Sequence, residues 1–137
     1  MVSEPAGRSG LRGSLEALLG VPGVVGAVLA TDDGLPLAAH VREDLDEEAL
    51  AAAAAVLGQL GAKASADGGL GSLRFVGLDA SKLRFMVEPV VLGHLLALSD
   101  YSADVEQVLP EMHRSALELD EAARAMEDSL AADPAAR

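Results

Sequence analysis

Three histidines and one pair of adjacent aspartates are the residues of this chain best suited to chemistry. His40, His94 and His113 stand far apart, and none belongs to an H-x-x-x-H or H-E-x-x-H pattern that would set two zinc ligands on one helix face. Asp32 and Asp33 offer two carboxylates, but no third metal ligand lies near them in sequence, and the glycine that follows makes a turn the better reading. His94 falls within the apolar run "VVLGHLLALS", either as a poised base or as a core histidine satisfied by one polar partner, and the second is expected. There is no G-x-S-x-G elbow for a nucleophilic serine and no G-x-x-x-x-G-K-[ST] loop for a nucleotide phosphate. The glycine-rich "GVPGVVG" at 20–26 and "GGLG" at 68–71 lack the strand-then-helix setting that cradles phosphate. No catalytic residue, metal or cofactor is therefore expected, and function is expected to lie in surfaces.

Composition narrows the classes further. The chain has 137 residues, enough for one domain with a sizeable core, and half of them are hydrophobic, yet Phe75, Phe85 and Tyr101 are the only aromatics. A core of Ala, Val, Leu and Gly favours close backbone approach and is thin for one subunit, so self-association is expected. A net charge of −12 repels nucleic acid and anionic membrane surfaces. With no cysteine, no apolar leader at the N-terminus and no uninterrupted apolar stretch of spanning length, the expectation is a soluble cytoplasmic protein without direct membrane insertion.

The elements that would carry such surfaces follow from periodicity. Residues 1–10 read as a loose arm, and a short helix places Leu11, Leu15, Leu18 and Leu19 on one face before Gly20 and Pro22 stop it. Val24 to Thr31 is apolar on both parities, as a central strand requires. Asp33-Gly34 then predicts a type I′ hairpin turn, and Leu35 to Val41, holding Pro36, predicts an outer strand. Asp44 with Glu47 forms a capping arrangement for a helix from about Leu45 to about Ala64, with Leu50, Ala54, Leu57, Gly61 and Ala64 on one face. Its glycines and alanines allow close packing against either its own sheet or a matching helix of a partner. Three strands follow, over 70–78, from Lys82 to about Val87 and over 91–98, with turns at 79–82 and near Glu88-Pro89, the first of them at an edge and the last central. A final helix from about Ser102 to about Leu130 carries the stripe Val105, Leu109, Met112, Ala116, Leu119, Ala123, Met126 and Leu130, read as its buried side, with a kink at Pro110 and a frayed tail over 131–137. The whole is a single α+β domain over 11–130, in the order α-β-β-α-β-β-β-α: a five-stranded, largely antiparallel sheet with helices on both faces.

Charge is uneven along the chain. Asp100 to Arg137 holds ten acids and three bases, a net of −7, whereas Leu70 to Met86 sets Arg74, Lys82 and Arg84 against Asp79, a net of +2. Those cations either blunt an exposed strand edge or meet the acids of a partner or second copy.

The element order, with "VPGVVGAVLATDDGLPLAA", the Ala-rich middle helix and "RFVGLDASKLRFMVEP…LLALSD", resembles the roadblock (dynein light-chain) domain family, whose architecture is related to longin and profilin folds. The resemblance covers about residues 10–128. It implies a non-enzymatic homodimer in which middle helices pack together and third strands pair, joining two sheets into one of ten strands. The matching positions here are Ser72, Leu73, Arg74, Phe75 and Val76 on the strand and Ala54, Leu57, Gly58 and Gly61 on the helix. It also implies a partnership with a small Ras-like GTPase whose nucleotide hydrolysis or localisation is regulated without an arginine finger. The alternative is a scaffold subunit of a signalling or motility complex with no effect on GTP hydrolysis. An enzyme using His94 with a nearby carboxylate is a third reading.

Overall fold

The computed structural model describes residues 6–132, so the expectations for residues 1–5 and 133–137 lie outside the described residues. In chain order the elements are α1 (Ala6–Leu19), β1 (Val24–Ala30), β2 (Pro36–Val41), α2 (Glu47–Asp67), β3 (Val76–Asp79), β4 (Arg84–Val90), β5 (Gly93–Ser99) and α3 (Val105–Ala132). The expected order of elements is observed. The strands form one antiparallel sheet in the order β2-β1-β5-β4-β3.

The two parities of the central strands feed two cores. Ala27 and Leu29 of β1, opposite Ala97 and Leu95 of β5, join Met86 of β4 beneath Leu11, Leu15 and Leu18 of α1 and Val108, Met112 and Leu119 of α3. Val28, Ala30, Leu96, Leu98 and Val87 face the other way, against Ala51 and Ala54 of α2. Burying each of the larger of these side chains contributes about 1.5–3 kcal/mol. The first layer is built from two helices and leucines, the second from one helix and alanines. α1 begins at Ala6, so residues 6–10 are helix rather than loose arm. Once Leu11, Leu15 and Leu18 are anchored, each further turn adds a hydrogen bond without a new nucleation cost.

Several local expectations are corrected. The β1–β2 connection is not a type I′ turn, because Asp33 does not adopt positive φ; Gly34 alone does, at 83°. Gly34 N–H donates to Thr31 O at 2.9 Å and Thr31 N–H to Leu35 O at 2.8 Å, giving a type I turn at Asp32-Asp33 closed by a left-handed glycine. The N-cap of α2 is Asp46, which accepts from the N–H groups of Glu48 and Ala49, while Asp44 is held by Arg42 at 2.6 and 3.2 Å.

β3 is shorter than the strand expected over 70–78. Gly69 and Gly71 take φ of 66° and 94° and turn the chain before it. The ladder with β4 starts at Val76↔Val87, and continuing it backwards would set Arg74 opposite Pro89, which has no N–H to give. Glu88 and Pro89 belong to β4 rather than to a turn, and the β4–β5 reversal lies at Val91-Leu92. On α3 the buried positions are Val108, Met112, Ser115, Ala116, Leu119 and Ala123. The expected stripe holds in its middle and fails at its end, where Leu130 is 63% exposed because the helix runs past the sheet.

The buried face of α2 is Ala51, Ala54, Ala55 and Gly58, turned from the expected one, so Ala64 is exposed and Leu50 and Leu57 lie at the flanks. The cause is His94, whose ring lies beneath the helix. A Cβ placed on Gly58 would stand 2.3 Å from His94 Nδ1, whereas one on Gly13 of α1 would meet nothing within 4 Å. The same substitution should therefore have opposite signs at the two sites. Gly13→Ala is expected to stabilise by roughly 0.5–1 kcal/mol through helix propensity, and Gly58→Ala to destabilise by about 1–3 kcal/mol through overpacking. Urea denaturation of both variants checks this, and a Gly58→Ala no less stable than the parent would refute the close approach.

α3 is also held to α1 and to the β4–β5 turn by polar contacts. Ser115 Oγ donates to Ser14 O at 3.0 Å, Ser14 Oγ to Glu118 Oε2 at 3.1 Å, and Val91 N–H to Asp120 Oδ1 at 2.8 Å. Glu88 of β4 faces His113, with Oε2 and Nδ1 3.5 Å apart. Burial, reinforced by the charge of Asp120, holds the Glu88 carboxyl above the ordinary glutamate range, and His113 opposes this only in part. A carboxyl raised in this way favours the fold while protonated, and that contribution is lost as pH rises from the ordinary value through the raised one. Glu88→Gln should thus melt close to the parent at about pH 4 and above it by about pH 7. A melting difference that stays constant across this range would show that Glu88 is not under this strain.

Candidate functional site

α2 is a 21-residue helix whose most apolar 18-residue window has a mean hydropathy of 1.3, and only 22% of that window is buried. By length and composition alone it could cross a bilayer. Here its small side chains lie on Val28, Ala30, Leu96 and Leu98 as one layer of the domain. The opposite side carries Ala49, Ala52, Ala53, Val56 and Leu60 at helical spacing, with Val56 64% and Leu60 62% exposed. An apolar stripe of this kind, running along one helix and uncovered, is the mark of an interaction surface.

Beside its C-terminal half lies the open edge of the sheet. Among the described residues β3 pairs only with β4, so the outer N–H and C=O groups of Val76–Asp79 have no neighbouring strand there, and Leu78 is 49% exposed. α2 approaches this edge through Gly61, where an added Cβ would meet Leu73 Cδ2 at 3.0 Å and Val76 Cβ at 3.3 Å.

The positions singled out in the sequence divide against this geometry. Ala54 and Gly58 are buried against their own sheet, and Gly61 is filled by Leu73 and Val76, so none of the three presents itself to a partner helix. Leu57 is half-buried among the same layer. Ser72, Leu73, Arg74 and Phe75 precede the strand, and Val76 alone of the five lies in it. The Phe75 ring lies over Gly77, 3.2 Å from where its Cβ would be, on the α3 side of the sheet. Val56, Leu60 and Leu78 were missed. The signal for them was present in α2 as larger apolar residues on the side opposite the alanines that pack best.

Arg84 is not free for a partner. Its Nε donates to Asp79 Oδ1 at 2.8 Å, which raises its pKa further, and its guanidinium lies 5.0 Å from the centre of the Tyr101 ring. Arg74 is exposed. His94 is only 6% exposed under α2, with Nε2 3.2 Å from Asp32 Oδ1 but not aligned as a hydrogen bond. Gln59 Nε2 donates to the Asp32 carbonyl at 2.7 Å and ties the hairpin to α2. His94 is thus a core histidine near one carboxylate, but the expected polar partner is not found: neither ring nitrogen has a hydrogen-bond partner among the described residues. Among the described residues no cluster of three His, Asp or Glu side chains could hold a metal ion.

Comparison with known proteins agrees with this architecture. No curated protein matches the chain in sequence. A Roadblock/LC7 domain from Streptomyces avermitilis is 26% identical, superposes with a TM-score of 0.71, and covers 77% of this chain and 91% of its own. The gliding protein MglB from Thermus thermophilus is 18% identical with a TM-score of 0.78, and MglB from Myxococcus xanthus 12% identical with 0.79; each covers 91% of this chain and 96% of its own. The family model of the Roadblock/LC7 domain matches residues 14–100, more than half of the 137 residues. With the sheet order and helix layers in place, the chain belongs to the Roadblock/LC7 domain family.

Proposed function

We propose that the protein is a cytosolic homodimeric adaptor that binds a small Ras-like GTPase and regulates its nucleotide cycle. The observation that carries this reading is the uncovered stripe of α2, with Val56 and Leu60 exposed, next to the open edge of β3. Two copies packed α2 to α2 would cover the stripe, and antiparallel pairing of their β3 edges would extend both sheets into one. The small residues Ala49, Ala52 and Ala53 would let the helices approach closely, and Val56 and Leu60 would supply most of the buried area. A continuous sheet of this width gives a GTPase a broad, rigid docking face. In this reading the protein supplies no catalytic group, and regulation would act by repositioning groups on the GTPase. Structural similarity to a gliding protein favours a second reading, in which the same dimer serves as a scaffold in a motility assembly and leaves hydrolysis unchanged.

Leu60→Glu tests the dimer. The position is exposed, so the fold should keep its stability within about 0.5 kcal/mol. Charge repulsion and lost apolar burial on both helices should weaken association about 100-fold or more. Light scattering should report a dimer for the parent and a monomer for the variant. An unchanged dimer mass would remove the α2 interface. With the cognate GTPase, altered GTP turnover by the parent supports regulation, whereas binding without altered turnover establishes the scaffold.

A further inference from the structure

On the opposite side of the sheet from the α2 stripe, a groove of about 710 Å³ opens between α3, the end of β4 and the segment before β3. Its floor is acidic. Glu88 enters from β4 with its side chain 13% exposed, and Asp120 enters from α3. The basic side chain beside Glu88 is His113, itself 67% exposed and 3.5 Å away. Asp120 uses Oδ1 to accept the Val91 N–H. Two carboxylates in a partly closed cleft without a full counter-charge form a site for a cation. The walls are apolar: Phe75 is 37% and Leu117 52% exposed, and both lie outside the two cores.

We propose that this groove receives a Lys or Arg side chain borne on an apolar segment of a partner protein. The carboxylates of Glu88 and Asp120 bind the charge, and Phe75 and Leu117 cover the aliphatic stem and a neighbouring apolar residue. Arg74 also lines the groove but is exposed, so its repulsion is screened by solvent, whereas the attraction of the largely buried Glu88 is screened less. The overall charge of −12 draws a basic segment toward the protein. The groove opens on the opposite face of the sheet from the α2 stripe, and its lining at 73–75 adjoins the β3 edge that the dimer described above would pair.

The test uses the full isotope-labelled chain and two probes: a short blocked amphipathic peptide with one Arg beside a pair of leucines, and its counterpart with Glu in place of that Arg. The Arg peptide should shift the amide resonances of Phe75, Val91, Leu117 and Asp120, and the Glu peptide should not. Glu88→Gln with Asp120→Asn removes both charges at constant shape and leaves an oxygen for Val91 N–H. It should weaken the Arg peptide about tenfold or more, while Arg74→Ala should tighten it. Equal shifts from both peptides, shifts confined to Val56 and Leu60, or affinity unmoved by the paired substitution would each overturn the proposal. If the double variant does not fold, Glu88→Gln alone decides in the same direction.

Discussion

β1 and β5 carry apolar side chains on both parities, so the sheet must be covered on both faces, and the cover is unequal. Two helices share the face lined by Leu29, Leu95 and Met86. A single helix lies over the face lined by Val28, Leu96 and Leu98. One helix is narrower than a five-stranded sheet, so α2 cannot enclose its side in the way α1 and α3 enclose theirs. It lies close instead, using Ala51, Ala54, Ala55 and Gly58, and leaves its larger apolar residues pointing outward. The exposed stripe and the bare β3 edge are thus two results of the same shortage of cover. Surface that one subunit cannot bury is what a second subunit or a partner can use.

The fold was legible in the sequence because its strongest signals are periodic and local. Two-sided apolar runs marked the inner strands, Pro36 marked one edge, and heptad-like spacing marked the middle of α3. The errors sit where a long-range contact overrides a local signal. The rotation of the α2 face depends on His94, 36 positions later, pressing its ring where a β-carbon would be. The end of β3 depends on Pro89 across the ladder. The cap moved from Asp44 to Asp46 because Arg42 takes the carboxylate of Asp44. None of these competitors announces itself in its own neighbourhood.

The interaction surface was less legible for a related reason. Small residues on a helix signal close approach, and from sequence alone the approaching body can be a partner or the helix's own sheet. In α2 it is the sheet, so Ala54, Gly58 and Gly61 serve the interior while Val56 and Leu60 face out. The acidic groove left even less trace. Glu88, His113 and Asp120 are ordinary surface letters until β4 and α3 bring them together.

α3 extends well beyond what the sheet supports. Its last fully buried residue is Ala123, and the nine residues from Arg124 to Ala132 project for roughly 13 Å. From Ala123 to Ala132 is roughly 13 Å, so a tilt of about 10° beyond the last buried turn carries Ala132 about 2 Å. Its exposed turns are in this sense a pointer carried by the last buried one. A change too small to disturb the core at Met112 and Leu119 is magnified at Leu130, where it enters the reach of whatever stands beside the domain.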